Sequence, residues 1–266
     1  MIALIGSPDP LTALIATTLG AAGRPPLVCR LVDRDGPKGE PDVLRFRIEH
    51  LGSFLRQLVE AGVAEVCFTG PVARPRIDPS AIDAETAPLL PRMLAAMGQG
   101  DDGALRAVLA IFEEAGLAIR AAQDLVPTLL PPVGVLSKAR PTPAQEADAA
   151  RAERVHRLIA PADIGQGVVL RAGWVVAVEA GPGTDWMLRS VRGMADGALF
   201  LKAPKRGQDR RVDLPVVGPA TIERAREAGI SAVVIEARGV MVLQRDACVA
   251  LADAAGLALW VREPAP

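Results

Sequence analysis

Apolar residues fall in short blocks along the chain, and their spacing switches between the two regular periods. Residues 2–6 (IALIG) form a continuous apolar run that meets a turn at Gly6-Ser7-Pro8-Asp9-Pro10, after which residues 11–22 follow helical spacing. The alternation continues with a strand predicted over 27–32, an amphipathic helix over 51–61 ended by Gly62, and a strand over 64–69. Asp101 and Asp102 precede a periodic segment, 104–115, closed by Gly116, so both carboxylates are expected at a helix N-terminus; residues 119–121 read as a further strand. Strands alternating with helices predict a parallel, doubly wound α/β sheet.

Between 127 and 143 the pattern changes. Pro127, Pro131, Pro132, Pro141 and Pro143 break it, and a polar helical stretch follows over 145–159. We read a linker and a bridging helix here, giving an N-terminal domain over 1–128, a connection over 129–160 and a C-terminal domain over 161–266. The last part predicts strands at 167–170, 175–179, 198–202, 232–236 and 240–243, helices at 220–228 and 247–255, and a Pro-bounded stretch at 213–217. No unit of 20 to 50 residues repeats, which excludes a solenoid.

Composition narrows the function. Half of the 266 residues are apolar, and 25 Gly with 23 Pro stay below the roughly 25% that marks a low-complexity chain. The net charge is −1 and there are eight aromatic residues without a stacking array, so no nucleic-acid partner is expected. Cys29, Cys67 and Cys248 are far apart in apolar surroundings and read as buried hydrophobes of a reducing compartment. The first residues resemble no signal peptide and no apolar run reaches the roughly 18 residues of a membrane span, so a cytoplasmic protein is expected.

Two polar segments interrupt the apolar strands with acids, turns and lysines: 181–188 (GPGTDWML) and 202–215 (KAPKRGQDRRVDLP). The chain has 26 Arg and only four Lys, yet Lys202 and Lys205 fall together. Compact ammonium charges kept between strands suggest an anion site. Asp209 and Asp213 are four apart and could converge with Asp185 on a hard cation such as Mg²⁺, which takes one or two carboxylates, phosphate oxygens and water. The same residues allow plainer roles. Asp209 could close a turn, Asp213 could pair with Arg210 or Arg211, and Asp185 could cap a helix over 186–191 while Gly181, Gly183 and Thr184 present backbone amides to a phosphate. With His50 and His156 as the only histidines, no HExxH, no P-loop, no GxSxG, and no GxGxxG in the turn after the first strand, zincin, Walker-type and α/β-hydrolase chemistries are set aside.

The segments 176–188 (VAVEAGPGTDWML), 202–222 (KAPKRGQDRRVDLPVVGPATI) and 100–108 (GDDGALRAV), supported by 164–169 (IGQGVV) and 70–75 (GPVARP), carry a resemblance. The chain resembles, over nearly its whole length, the UDP-2,3-diacylglucosamine pyrophosphatases of lipid A biosynthesis of the alphaproteobacterial type. The resemblance implies a Rossmann-like N-terminal domain, a C-terminal α/β domain distinctive to the family, and Mg²⁺-dependent (or Mn²⁺-dependent) hydrolysis of UDP-2,3-diacylglucosamine to 2,3-diacylglucosamine 1-phosphate (lipid X) and UMP. It implies a cytoplasmic enzyme, soluble or peripheral on the cytoplasmic membrane surface, with a homodimer as one allowed assembly. Two departures stand out: the Gly6–Pro10 turn replaces a glycine-rich one, and Arg206 stands where the family usually has Pro.

On this reading Asp213 is the first-choice metal ligand or water-orienting carboxylate, and Asp185 and Asp209 are its partners at the catalytic and metal site. Lys202, Lys205 and Gln208 meet the pyrophosphate, while Gly183, Thr184, Asp101, Asp102 and Gln166 complete the substrate contacts. Two other classes are carried beside it. One is a nucleotide- or lipid-binding module that keeps the fold without the chemistry. The other is a nicotinamide-dependent oxidoreductase with Asp33 or Asp35 on the ribose, for which the glycine-rich turn is missing.

Overall fold

The structure is a computed structural model that describes residues 1–32, 43–70, 77–97 and 101–264; the side chains of Met97, Asp101 and Asp102 lie outside the description. The chain divides into two compact units, Met1–Pro127 and Thr128–Pro266.

The first unit runs β1 (Ile2–Gly6), α1 (Pro10–Ala21), β2 (Leu27–Leu31), β3 (Val43–Phe46), α2 (Leu51–Glu60), β4 (Glu65–Thr69), α3 (Leu90–Met97), α4 (Asp101–Glu114), β5 (Ala118–Ile119) and α5 (Ala122–Leu125). Its strands pair in parallel in the order β3-β2-β1-β4-β5, so the order reverses beside β1 as in Rossmann-like sheets. All five residues of β1 are buried, so both faces of the strand are covered, which is why IALIG carries no alternation. The core is closed by Phe46 stacked on Phe54 at 3.7 Å, with Phe112 edge-on to Phe54 and Phe68. The sequence reading passed over β3 and α3. β3 is a four-residue strand that pairs, among the described residues, with β2 alone, too short for its alternation to register.

Asp9 caps α1, its Oδ1 accepting from the Leu11 amide at 2.7 Å. A carboxylate therefore already occupies the helix end where dinucleotide folds hold pyrophosphate, which disfavours the nicotinamide reading. Asp33 and Asp35, and residues 71–75 of the GPVARP turn, lie outside the described residues. Cys29 and Cys67 are buried, and burial pushes both thiols up to about 12.

The second unit runs β6 (Gly134–Val135), α6 (Pro143–Ile159), β7 (Gly167–Arg171), β8 (Trp174–Val178), α7 (Gly183–Ser190), β9 (Leu199–Lys202), β10 (Val216–Val217), α8 (Pro219–Glu227), β11 (Ala232–Glu236), β12 (Met241–Val242), α9 (Arg245–Ala254) and β13 (Ala258–Arg262). Six strands form a mixed sheet, β6-β13-β11-β9-β7-β8. β9, β11 and β13 are mutually parallel, whereas β7 is antiparallel to β9, so β9 lies where the parallel half meets the antiparallel half. Short β10 and β12 pair separately.

Side-chain parity along β9 divides the core. Leu199 and Leu201 pack with Ala149 and Ala152 of α6, while Phe200 packs with Met187 and Leu188 of α7, Ile222 and Ala225 of α8, and Cys248 and Ala252 of α9. The helix expected to bridge the domains thus belongs to the second unit. Its sequence looks polar because only a narrow stripe, Ala149 and Ala152 with the partly buried Val155 and Ile159, faces the sheet. β13 was also missed, although it pairs with both β11 and β6.

Candidate active site

The loop after β9 folds around one amide. Gln208 is buried; its Oε1 accepts from the Lys205 backbone amide at 3.0 Å and from Gln166 Nε2 at 3.2 Å, and its Nε2 donates to the Asp213 carbonyl. Gln166 Nε2 also reaches that carbonyl at 3.5 Å. The two glutamines thereby tie both ends of 205–213 to the start of β7 and fix where the Asp213 carboxylate, which is half-buried, can lie.

Beside this loop is a buried charge pair. Lys202, only 4% exposed, shares the Phe200 face of β9 and donates to Glu179 Oε2 at 2.8 Å and to Thr184 Oγ1. Glu179 follows β8 directly, and two glycines make room for it. A Cβ at Gly165 would come within 2.2 Å of the Glu179 carbonyl oxygen, and one at Gly167 within 2.6 Å of Glu179 Oε2. Lys202 was expected as a pyrophosphate contact. Its charge is instead balanced by Glu179, and it anchors Thr184 and with it the first turn of α7. Lys205 is the more accessible cation, paired with Asp163.

The three aspartates expected to converge are not brought together. Asp185 is exposed and pairs with Arg224 of α8 at 3.1 Å, because α7 begins at Gly183 and Asp185 sits in its first turn rather than capping it. Asp209 turns back onto Arg211, accepting from its backbone amide at 3.0 Å and from its guanidinium at 2.7 Å. Among the described residues no group of three His, Cys, Asp or Glu side chains is placed to hold a metal. Asp101 and Asp102 open α4 in the first unit.

Models of two domain families account for the chain: the LpxI N-terminal domain matches residues 1–129 and the LpxI C-terminal domain matches residues 132–260. The chain belongs to the LpxI family. It is also 39% identical, over 268 residues, to the UDP-2,3-diacylglucosamine pyrophosphatase LpxI of Caulobacter vibrioides (strain ATCC 19089 / CIP 103742 / CB 15), covering 96% of this chain and 94% of that protein.

Within this LpxI-family chain, sequence reasoning missed Glu179, Asp163 and His156. Glu179 had a signal: it is an acid ending the apolar run VAV in 176–178, where a solvated strand end would not need two nearby glycines. His156 had been set aside as a lone histidine. It lies buried on α6, its ring held by the Gly165 backbone, and burial, opposed by Glu179 and reinforced by Lys202 and Lys205, moves its pKa below the ordinary imidazole value. Its Nε2 has no hydrogen-bond partner among the described residues.

Proposed function

We propose that this LpxI-family protein hydrolyses the pyrophosphate of UDP-2,3-diacylglucosamine, giving 2,3-diacylglucosamine 1-phosphate and UMP in lipid A biosynthesis. The observation that carries the reading is the 39% identity, end to end, with a protein named for that pyrophosphatase activity. The tied loop 205–213 supports it, since such a reaction needs a water aimed at phosphorus and cations near the phosphoryl oxygens. In this reading Asp213 orients the water, its backbone fixed by Gln166 and Gln208. Lys205 meets the pyrophosphate, and the Lys202–Glu179 pair holds Thr184 and the α7 turn in register. Water adds to one phosphorus as its proton passes to the Asp213 carboxylate, the anhydride P–O bond breaks, and the leaving phosphate departs with its electron pair.

Mg²⁺, or Mn²⁺, remains part of the proposal in a reduced form. The residues do not suit a cage of three carboxylates, because Arg224 and Arg211 engage Asp185 and Asp209. They suit an ion held by Asp213 together with phosphate oxygens and water, the usual way Mg²⁺ is bound on phosphate substrates. Such an ion would neutralise charge on the pyrophosphate. Acylated substrate implies work at the cytoplasmic membrane surface as a peripheral protein; among the described residues no helix is long and apolar enough to cross a membrane.

The test is incubation of purified protein with UDP-2,3-diacylglucosamine and identification of the products by mass spectrometry. UMP and lipid X in equal amounts are expected. Unchanged substrate under every divalent-ion condition would overturn the reading.

A further inference from the structure

The loop that carries Lys205 is held against the start of β7 by more than its two glutamines. Antiparallel pairing of β7 with β9 sets Gly167 opposite Lys202, and it runs one step past the strand ends, where the Ala203 amide donates to the Gln166 carbonyl at 2.9 Å. Just before Gln166, Gly165 lies so close to the Glu179 backbone that a Cβ has no room there. Asp163 therefore extends from a fixed stretch of chain, two residues before Gly165, alongside the outgoing residues 203–205. Its carboxylate accepts from Lys205 Nζ.

Stability does not account for this pair. The Asp163 side chain is 34% exposed and the Lys205 side chain 12%, and ion pairs that reach solvent contribute little to folding. Nor does the local backbone call for a carboxylate. Asp163 stands in the left-handed region, φ 52° and ψ 37°, at the end of the short turn Ala160–Ala162 after α6, a position that glycine fills with least strain. What the carboxylate does is restrict a cation. A lysine ammonium carries three donors on a flexible four-carbon stem and has no direction of its own. With one donor on Asp163 and the stem largely covered, the direction of the other two is set.

We propose that Asp163 is a positioning residue of the hydrolysis: by taking one donor of Lys205 it aims the other two at the phosphoryl oxygens of the pyrophosphate. The inference rests on the reaction proposed above and on Lys205 as its cation. Asp163 acts through Lys205 and not on the substrate. A carboxylate beside the ammonium also offsets part of its attraction for phosphate, so removing it affects turnover rather than ground-state binding.

The experiment is a double-mutant cycle on the full chain, read by steady-state hydrolysis of UDP-2,3-diacylglucosamine and by thermal melting. Asparagine tolerates the left-handed conformation, so Asp163→Asn removes the charge and keeps the turn, while Asp163→Gly removes the side chain and relaxes the turn. Both are expected to melt close to the unmodified chain and to lose about tenfold in kcat, with KM unchanged or lowered. Lys205→Met should lose more, and adding Asp163→Asn to it should cost less than about a further twofold. Full turnover in either Asp163 variant, a raised KM with kcat intact, or losses that multiply in the double variant overturn the role. A second readout is ¹H–¹⁵N NMR of the lysine ammonium groups, of which the chain has four. The Lys205 signal should be sharp in the unmodified protein and broaden or vanish in Asp163→Asn; a signal missing from the unmodified protein, or equally sharp in the variant, overturns the restraint on Lys205. Multiplying losses in an active enzyme sink this inference alone, whereas an unmodified chain that leaves the substrate intact sinks the proposed reaction and this role with it.

Discussion

Asp213 is the residue on which the proposed chemistry turns, because the two glutamine amides fix its backbone carbonyl and so the position from which its side chain starts. Asp213→Asn keeps shape and most hydrogen bonding but removes the charge a cation or a water-orienting base requires. Turnover is expected to fall at least ~10²-fold while substrate stays bound, so that the variant co-purifies with or retains substrate rather than product; near-normal turnover with an unchanged metal requirement would assign Asp213 a structural role. Glu179→Gln is expected to act differently. It leaves the Lys202 ammonium buried without its counter-charge, at a cost of about 3 to 5 kcal/mol, whereas joint replacement of Lys202 by Met and Glu179 by Leu should restore most of the stability without restoring activity. Chemical denaturation of the singles and the double measures the difference.

His156 also sets a pH signature. Its folded pKa lies below the unfolded value of about 6.5, so above that pH both states are neutral and it has no effect. As pH falls below about 6.5 the unfolded chain takes up a proton that the folded chain refuses, and stability declines until the folded pKa is passed. Glu179 favours the charged ring while burial, Lys202 and Lys205 oppose it, and the net direction is downward. The stability difference between wild type and His156→Gln should therefore shrink between pH 7 and 5; a pH-independent difference would contradict the shift.

At the scale of elements, α6 is the piece whose placement matters most. It begins with a capping box in which Thr142 Oγ1 accepts from the Gln145 amide and the Gln145 side chain accepts from the Thr142 amide, and its Glu153 and His156 line a cleft together with Lys205, Arg206 and Glu236. Thr142→Ala is expected to cost about 1 kcal/mol in thermal or denaturant melts. Gly167→Ala should be more severe. The added methyl would meet Glu179 Oε2, Phe200 Cε2 at 3.0 Å and Met187 Cε at 3.2 Å, forcing rearrangement of about 1 to 3 kcal/mol and disturbing the Lys202 pair along with the fold. A Gly167→Ala protein with unchanged melting and unchanged turnover would show that the packing there is slack.

At the scale of the whole molecule, the second unit contains its own sheet and the helices on both faces, with Val233, Ile235 and Leu259 facing one core and Val234 and Ala258 the other. A fragment comprising 128–266 is therefore expected to fold cooperatively by itself, shown by a sigmoidal near-ultraviolet melt. The metal requirement proposed above would belong to the substrate-loaded protein, since one carboxylate with phosphate oxygens makes an all-oxygen site. After chelation, Mg²⁺ or Mn²⁺ should restore turnover better than Zn²⁺, and full turnover in excess chelator would remove the ion from the proposal.

The sequence determined the elements whose signal is local. β1, β4, β7 and β11 lie close to where their apolar runs fall, and helices α1, α2, α8 and α9 lie where 3.6-residue spacing meets a breaker. The segments 181–188 and 202–215 were likewise legible as polar interruptions of apolar strands. Tertiary structure alone decided which side chains meet. Four residues of β3 and five of β13 gain strand identity from their neighbours' hydrogen bonds, not from their own periodicity. Asp185, Asp209 and Asp213 are near in sequence pattern, yet arginines from α8 and the loop itself engage the first two. Charge pairing and the direction of a side chain from the backbone depend on residues distant along the chain: Glu179 lies 23 positions from Lys202, and spacing along a strand or loop carries no record of that partner.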